Sequence, residues 1–129
     1  TLSRMASGGI HNIFGILTSE VAYRYGSEWL NQLLPYLEGN ADLMDKYIRE
    51  NIPGIKFSKP EATYLGWLNC RELGIKYENL REYFITKAKV ELLDGRDFGS
   101  NGEGFLRFNF ASPRSVIIDA LERIKASLK

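Results

Sequence analysis

The sequence is poor in the residues that build disulfide frameworks and metal sites. Its 129 residues include one cysteine, Cys70, and one histidine, His11. A single cysteine cannot form an internal disulfide, and this pair cannot supply the ligands of a Cys/His zinc site. These absences exclude a disulfide-stabilised domain and predict no metal cofactor. We expect a cytoplasmic chain, because a reducing compartment keeps a lone thiol free.

The sequence also lacks an excess of charge and a long apolar run. Seventeen basic side chains are balanced by 16 acidic ones, which leaves a net charge of +1 at pH 7. Nucleic-acid-binding proteins usually carry a basic patch, and a membrane helix needs about 20 consecutive apolar residues. We therefore expect neither a nucleic acid nor a membrane as a partner. The remaining composition, 44% hydrophobic and 12% aromatic, is typical of one globular domain.

Four segments have the apolar spacing of helices. The first covers residues 13–25, and the second runs from about residue 29 to 48 with a bend or division predicted at Pro35. The third is predicted over 80–88, because Asn79 and Glu82 have the spacing of a capping box. The last is predicted to begin with Ser112 as its cap and Pro113 in its first turn.

Short apolar stretches between these helices predict strands. The element order is α-α-β-β-α-β-β-α without a repeated βαβ unit, which indicates an α+β fold. We predict a small, mostly antiparallel sheet with helices covering one face. The strands are expected directly after Pro53-Gly54, at 63–70, at 89–94 and at 105–110.

The last predicted strand contains an arginine within the apolar run GFLRFNF (104–110). Because side chains alternate along a strand, Leu106, Phe108 and Phe110 are predicted to face the helices and Arg107 to face the other way. An arginine there requires a carboxylate, a phosphate or water. Two interpretations remain open from the residues alone. Arg107 forms a structural salt bridge on a solvated sheet face, or it binds a ligand carboxylate through two parallel hydrogen bonds.

Other residues that could carry chemistry have simpler interpretations. The loop at 95–104 has four glycines but lacks the residue order of a phosphate-binding loop. His11 has no evident nucleophile or acidic partner nearby. Cys70 ends an apolar strand and is predicted to be a small core residue. Lys59 directly precedes a proline and is predicted to be a solvated lysine at a strand end.

Three segments together resemble a known family. They are AYRYGSEWLNQLLPYLEGN (22–40), PEATYLGWLNCRELGI (60–75) and GEGFLRFNFASPRS (102–115). They resemble the C-terminal part of fold-type I pyridoxal-phosphate (PLP) enzymes of the class I/II aminotransferase superfamily, most closely the MalY/PatB group of cystathionine β-lyases. The Pro-Arg-Ser ending resembles the C–S lyases more than the aminotransferases.

The resemblance implies an aminotransferase-like small domain from a two-domain enzyme. Residues 1–26 would lead from a large PLP-binding domain of the same chain, and 27–129 would form the small-domain core. Arg107 would bind the α-carboxylate of a sulfur-containing amino acid, and His11 and Asn12 would lie near the active-site rim of a neighbour in a homodimer. The PLP lysine has no match here, so no catalytic or cofactor-binding residue is expected, and the chain alone would be inactive.

The reaction implied by the resemblance is β-elimination, in which cystathionine or cysteine gives pyruvate, ammonia and a thiol. Two alternatives remain open. One is aminotransfer by an enzyme of the same superfamily. The other is a non-catalytic interaction domain that retains the fold.

Overall fold

The structure, a computed structural model, describes residues 12–128. The chain divides into two compact units between Pro35 and Tyr36. The first unit contains helix α1 (Ile13–Tyr25) and the beginning of helix α2 (Ser27–Asn51), and the second contains the remaining elements.

Helix α1 has the predicted bounds. Its cap is Asn12, whose side-chain oxygen accepts a hydrogen bond from the backbone N–H of Phe14 at 2.9 Å. The helix buries none of its side chains. Its large apolar residues are exposed, namely Ile13, Phe14, Ile16, Leu17 and Val21.

Helix α2 is continuous over 25 residues, so the helix is not divided at Pro35. Pro35 lies at an exposed position, where water can satisfy the carbonyl that a proline leaves unpaired. Further along, α2 is held by a buried stripe that includes Met44 and Ile48, 0% and 2% exposed. Packing of this stripe outweighs the local effect of the proline.

The strands form one four-stranded antiparallel sheet of order β1-β2-β4-β3. This confirms the predicted fold class. Strand β4 lies inside the sheet, between β2 and β3. The strands are β1 (Lys56–Ser58), β2 (Leu65–Asn69), β3 (Leu93–Asp94) and β4 (Phe105–Asn109).

Helix α3 (Tyr77–Tyr83) begins earlier than predicted and continues as a π turn at Phe84–Ala88. Asn79 lies inside the helix, and the actual N-cap, Lys76, makes no side-chain cap bond, so the predicted capping box is wrong. Burial of Leu80 and Phe84 positions this helix, since burying such a side chain contributes more than a cap does.

Strand β3 is much shorter than the predicted strand at 89–94. The π turn ends at Lys89, which adopts a φ of 57°. A residue in the left-handed region cannot belong to an extended strand, so the strand cannot begin at Lys89. Pairing with β4 is found at Leu93 and Asp94.

Helix α4 (Arg114–Ser127) is preceded by Pro113 as its N-cap, without a side-chain cap bond. The prediction that Ser112 caps this helix is therefore wrong. Ile117, Leu121 and Ile124 are buried and have the spacing of one helical face, whereas Val116 is exposed.

The core of the second unit lies against one face of the sheet. The burial pattern of β2 and β4 alternates residue by residue. The other face of the sheet is more exposed and carries the candidate site. Between residues 12 and 128, no helix is long and apolar enough to cross a membrane, and no group of three or more potential ligands could hold a metal ion.

Candidate functional site

Arg107 lies in the middle of β4, on the face of the sheet that points away from the core. Its neighbours in register are Trp67 of β2 and Leu93 of β3. Arg107 and Trp67 are half-buried, whereas Leu106 and Phe108 are 0% and 5% exposed. The predicted alternation along this strand is confirmed.

The guanidinium of Arg107 lies over an aromatic ring. Its Cζ atom is 4.1 Å from the ring centroid of Phe98. Within residues 12–128, Arg107 forms no ion pair and no side-chain hydrogen bond. In this part of the chain, the structural salt bridge that the sequence left open does not form.

Phe98 belongs to a row in which cations and aromatic rings meet. Trp67 lies edge-on to Phe98, with centroids 5.5 Å apart at 84°, and edge-on to Phe105 at 6.4 Å and 85°. The guanidinium Cζ of Arg71 lies 4.7 Å from the ring centroid of Phe105. Both contact types are attractive, because a ring presents a negative face and a positive edge. Arg107 is therefore held at one end of a connected row of side chains.

Arg71, in the 3₁₀ turn that follows β2, is bonded to the loop that carries Phe98. Its Nε donates to the carbonyl oxygen of Glu103 at 2.9 Å, and its Nη2 donates to that of Asn101 at 3.3 Å. These bonds hold the second half of the loop, where the chain makes a 3₁₀ turn at Ser100–Gly102. Arg71 thus has a structural role in this part of the molecule.

Asp94 holds the first half of the same loop. Its Oδ1 accepts the backbone N–H of Arg96 at 2.9 Å, and its Oδ2 lies 2.7 Å from Nη2 of Arg96. Hydrogen bonding to the Arg96 guanidinium lowers the pKa of the Asp94 carboxyl, against the opposing effect of burial. The charged carboxylate therefore stabilises the turn at Gly95–Phe98.

The glycines of this loop allow close backbone packing. A Cβ on Gly102 would lie 1.9 Å from the carbonyl oxygen of Gly95. Only glycine permits such an approach. The two glycines therefore serve the shape of the loop, which links β3 to β4.

A cavity of about 400 Å³ opens beside the aromatic row. The aromatic residues of the row line it, together with residues of the glycine loop, namely Trp67, Phe98, Phe105, Gly95, Gly99, Ser100, Asn101 and Gly102. Phe98 both contacts Arg107 and lines this cavity. Pockets with aromatic walls and few polar groups are typical of small-molecule sites.

The other predicted residues lie apart from this cluster or outside the described range. His11 is outside the described residues. Asn12 caps α1, and its predicted place at an active-site rim stays a prediction. Cys70 is 1% exposed, and burial raises its pKa to about 12, which confirms a core cysteine. Lys59 lies at the surface, as predicted, in ion pairs with two carboxylates of α2.

Sequence reasoning identified Arg107 but not Phe98 or Trp67 as parts of its surroundings. The available signal for Phe98 was a large aromatic residue between glycines in a polar loop, DFGSNG. Trp67 could have been placed only with the register of β2 against β4, which the sequence does not specify.

The comparisons with known proteins agree with this fold. No protein-family model matches the chain. Cystathionine beta-lyase PatB of Bacillus subtilis is 36% identical over 128 residues, covering 99% of this chain and 33% of PatB. Aspartate aminotransferase of Pyrococcus horikoshii is 32% identical over 80 residues, covering 62% of this chain and 20% of that protein.

Among solved structures, cystalysin from Treponema denticola, which contains a pyridoxal 5'-phosphate cofactor, matches with a TM-score of 0.89 and 33% identity. The match covers 99% of this chain and 33% of cystalysin, so the chain spans about a third of the length of PatB and cystalysin. In sequence and in fold, the chain matches the small domain of the PLP-dependent cystathionine beta-lyases of the PatB and MalY group.

Proposed function

We propose that this chain is the small domain of a longer PLP-dependent C–S lyase and that Arg107 binds the α-carboxylate of its amino-acid substrate. The proposal rests on one observation. The guanidinium is held on an open sheet face by a ring, and no carboxylate among residues 12–128 neutralises it. Its N–H groups match a carboxylate through two parallel hydrogen bonds, which gives orientation as well as affinity.

The described residues do not form a PLP site by themselves. In the glycine loop, the backbone of Gly102 packs closely against the backbone of Gly95. The lysines between residues 12 and 128 are exposed or half-buried, and three of them, Lys56, Lys59 and Lys125, are bonded to other side chains. The PLP lysine and the phosphate-binding groups therefore belong to a large domain outside residues 1–129 in our proposal.

The contribution of Arg107 to the reaction is orientation. PLP, when bound, supplies the electron sink for chemistry at the α-carbon of an amino acid. A guanidinium in a fixed position holds the carboxylate so that the bond to be broken has one direction in the site. Elimination from a sulfur-containing amino acid would then release a thiol, with pyruvate and ammonia as the other products.

The exposed apolar surface of α1 is an argument for a large domain next to this helix. Phe14, Leu17 and Val21 are 71%, 55% and 48% exposed. Exposed apolar patches usually mark an interface. Since the chain spans about a third of PatB, we propose that the PLP-binding domain or the second subunit of a homodimer covers this surface.

The test is the removal of the arginine from the full-length protein. With an S-alkyl-L-cysteine as substrate, Arg107→Ala should lower kcat/KM roughly 10- to 100-fold, because hydrogen bonds to charged groups contribute about 1.5–3 kcal/mol. Most of the loss should be in KM. Thiol and pyruvate release measure the reaction.

The matched control is Arg49→Ala. Arg49 is an exposed arginine of α2 whose partner is Asp45, one helical turn away. This variant should keep the wild-type kcat/KM. If Arg107→Ala also kept it, the proposed role of Arg107 would be wrong.

Aminotransfer is the second candidate, supported by the match to aspartate aminotransferase over 80 residues. The two reactions differ in their products. When a 2-oxo acid is supplied with the amino-acid substrate, an aminotransferase produces a new amino acid. A lyase produces pyruvate and ammonia whether or not the 2-oxo acid is present.

A further inference from the structure

We infer that Phe98 is a positioning residue that holds the guanidinium of Arg107 in the orientation that binds a carboxylate. The inference rests on the proposed function of Arg107 and adds a second residue to that site. Phe98 would not contact the reacting atoms and would act through the arginine.

An aromatic ring can hold the guanidinium of an arginine without neutralising its charge. An arginine side chain is long and flexible, and two-point recognition of a carboxylate needs one orientation of the guanidinium plane. A protein carboxylate would fix that orientation but would compete with the substrate. The ring of Phe98, whose centroid lies 4.1 Å from the Arg107 Cζ, attracts the guanidinium without accepting its N–H hydrogen bonds, so these donors stay available to a ligand in our proposal.

Phe98 is itself held in place by the neighbouring residues. Trp67 packs edge-on against it at 5.5 Å. Asp94 caps the turn that contains it. Gly99, the next residue, adopts a φ of 135°, a conformation that other residues rarely adopt, and this glycine ends the turn that carries the ring.

Burial in the core does not explain the position of Phe98. The residue is 48% exposed, whereas Phe84 and Phe110, which belong to the core, are 0% and 1% exposed. The contacts recorded for its ring are those with Arg107 and Trp67 and the wall of the cavity. The stacking on Arg107 is therefore a main interaction of this side chain.

The experiment compares an acid and an amide substrate in the full-length protein. An S-alkyl-L-cysteine and its carboxamide both release the same thiol, but only the acid offers a carboxylate to Arg107. In Phe98→Leu, kcat/KM for the acid should fall roughly 3- to 30-fold, the range expected for a lost cation–ring contact, and mainly through KM. The carboxamide should be turned over with nearly wild-type kcat/KM.

Phe98→Tyr is the conservative rescue, because it keeps the ring and should keep the wild-type preference for the acid. If Phe98→Leu does not fold, Phe98→Met provides the same comparison, since it also removes the aromatic face. Equal losses for the acid and the carboxamide would show a merely structural role and would overturn the inference. Wild-type kcat/KM for both substrates in the folded Leu or Met variant would overturn it as well.

Arg107→Lys separates this inference from the proposed function. Lysine keeps the charge but cannot make the two-point contact. In Arg107→Lys, the ratio of kcat/KM for the acid to kcat/KM for the carboxamide should therefore fall. If Arg107→Lys retains the wild-type preference, or if the wild-type protein releases no thiol, the proposed function is wrong and the inference is wrong with it. If Arg107→Lys loses the preference and Phe98→Leu keeps it, only the inference on Phe98 is wrong.

Discussion

Asn40 of α2 is a fully buried polar residue, and its side chain bonds to the turn that follows β4. Its Nδ2 donates to the carbonyl oxygens of Phe110 and Ser112, each at 3.0 Å. Its Oδ1 accepts from Nε of Arg114 at 3.1 Å. These bonds join α2 to the end of the strand that carries Arg107. We expect Asn40 to be important for the stability of the second unit.

The magnitude follows from the number of bonds and their burial. Asn40→Ala removes two donors from backbone carbonyls, and Phe110 is 1% exposed. A buried polar group left without its partner costs about 1–3 kcal/mol. We therefore expect Asn40→Ala to lower the free energy of unfolding by about 2–4 kcal/mol.

Asn40→Asp is a sharper variant. At neutral pH it replaces the donor with a charged oxygen that faces the same two carbonyl oxygens, while the other oxygen keeps the bond to Arg114. Asn40→Asp should therefore also be less stable than the wild type at pH 7.

The assay is urea unfolding followed by circular dichroism, with the free energy obtained by linear extrapolation. Asn31→Ala is the matched control, since Asn31 is an exposed asparagine of the same helix. It should change the free energy of unfolding by no more than about 0.5 kcal/mol. The reasoning would be refuted if Asn40→Ala lost less than about 1 kcal/mol, or if Asn40→Asp were as stable as the wild type at pH 7.

Two further predictions follow from the pKa shifts. Because the pKa of Asp94 is lowered in the folded state, its carboxylate stabilises the protein above the unfolded pKa of about 3.9, and this contribution is lost as the pH falls through the folded value. Asp94→Asn should be less stable than the wild type at pH 7 and converge with it in acid; parallel urea curves at all pH values would contradict this. Cys70, with a pKa of about 12, should react with DTNB at pH 8 only after denaturant is added; rapid reaction of the folded protein would disagree with its burial.

The features of the fold that depend on local repetition could be predicted from the sequence. The bounds of α1 follow from apolar spacing and Gly26, and the facing of Leu106 and Arg107 follows from the two-residue period of a strand. The sheet class follows from the order of elements. The bounds of α1 and the facing of Leu106 and Arg107 are specified by residues within a few positions of one another, whereas the sheet class uses the order of such local patterns along the chain.

The features that depend on tertiary packing could not be predicted in the same way. Asn79 and Glu82 have the spacing of a capping box, but burial of Leu80 and Phe84 places the start of the helix at Tyr77. Local propensity is a weak preference, and tertiary burial overrides it. The position of Phe98 over Arg107 likewise depends on how the whole glycine loop is attached.

The role proposed for Arg107 depends on strand register more than on residue type. Asp94, on the neighbouring strand β3, is opposite Leu106, and Leu93 is opposite Arg107. The alternation that exposes Arg107 therefore places Asp94 on the other face of the sheet, where it is 8% exposed and paired with Arg96. A shift of β3 by one residue would set Asp94 beside Arg107 and produce the structural salt bridge that the sequence left open. The observed register instead leaves the arginine to an aromatic ring, with its hydrogen-bond donors directed to a ligand in our proposal.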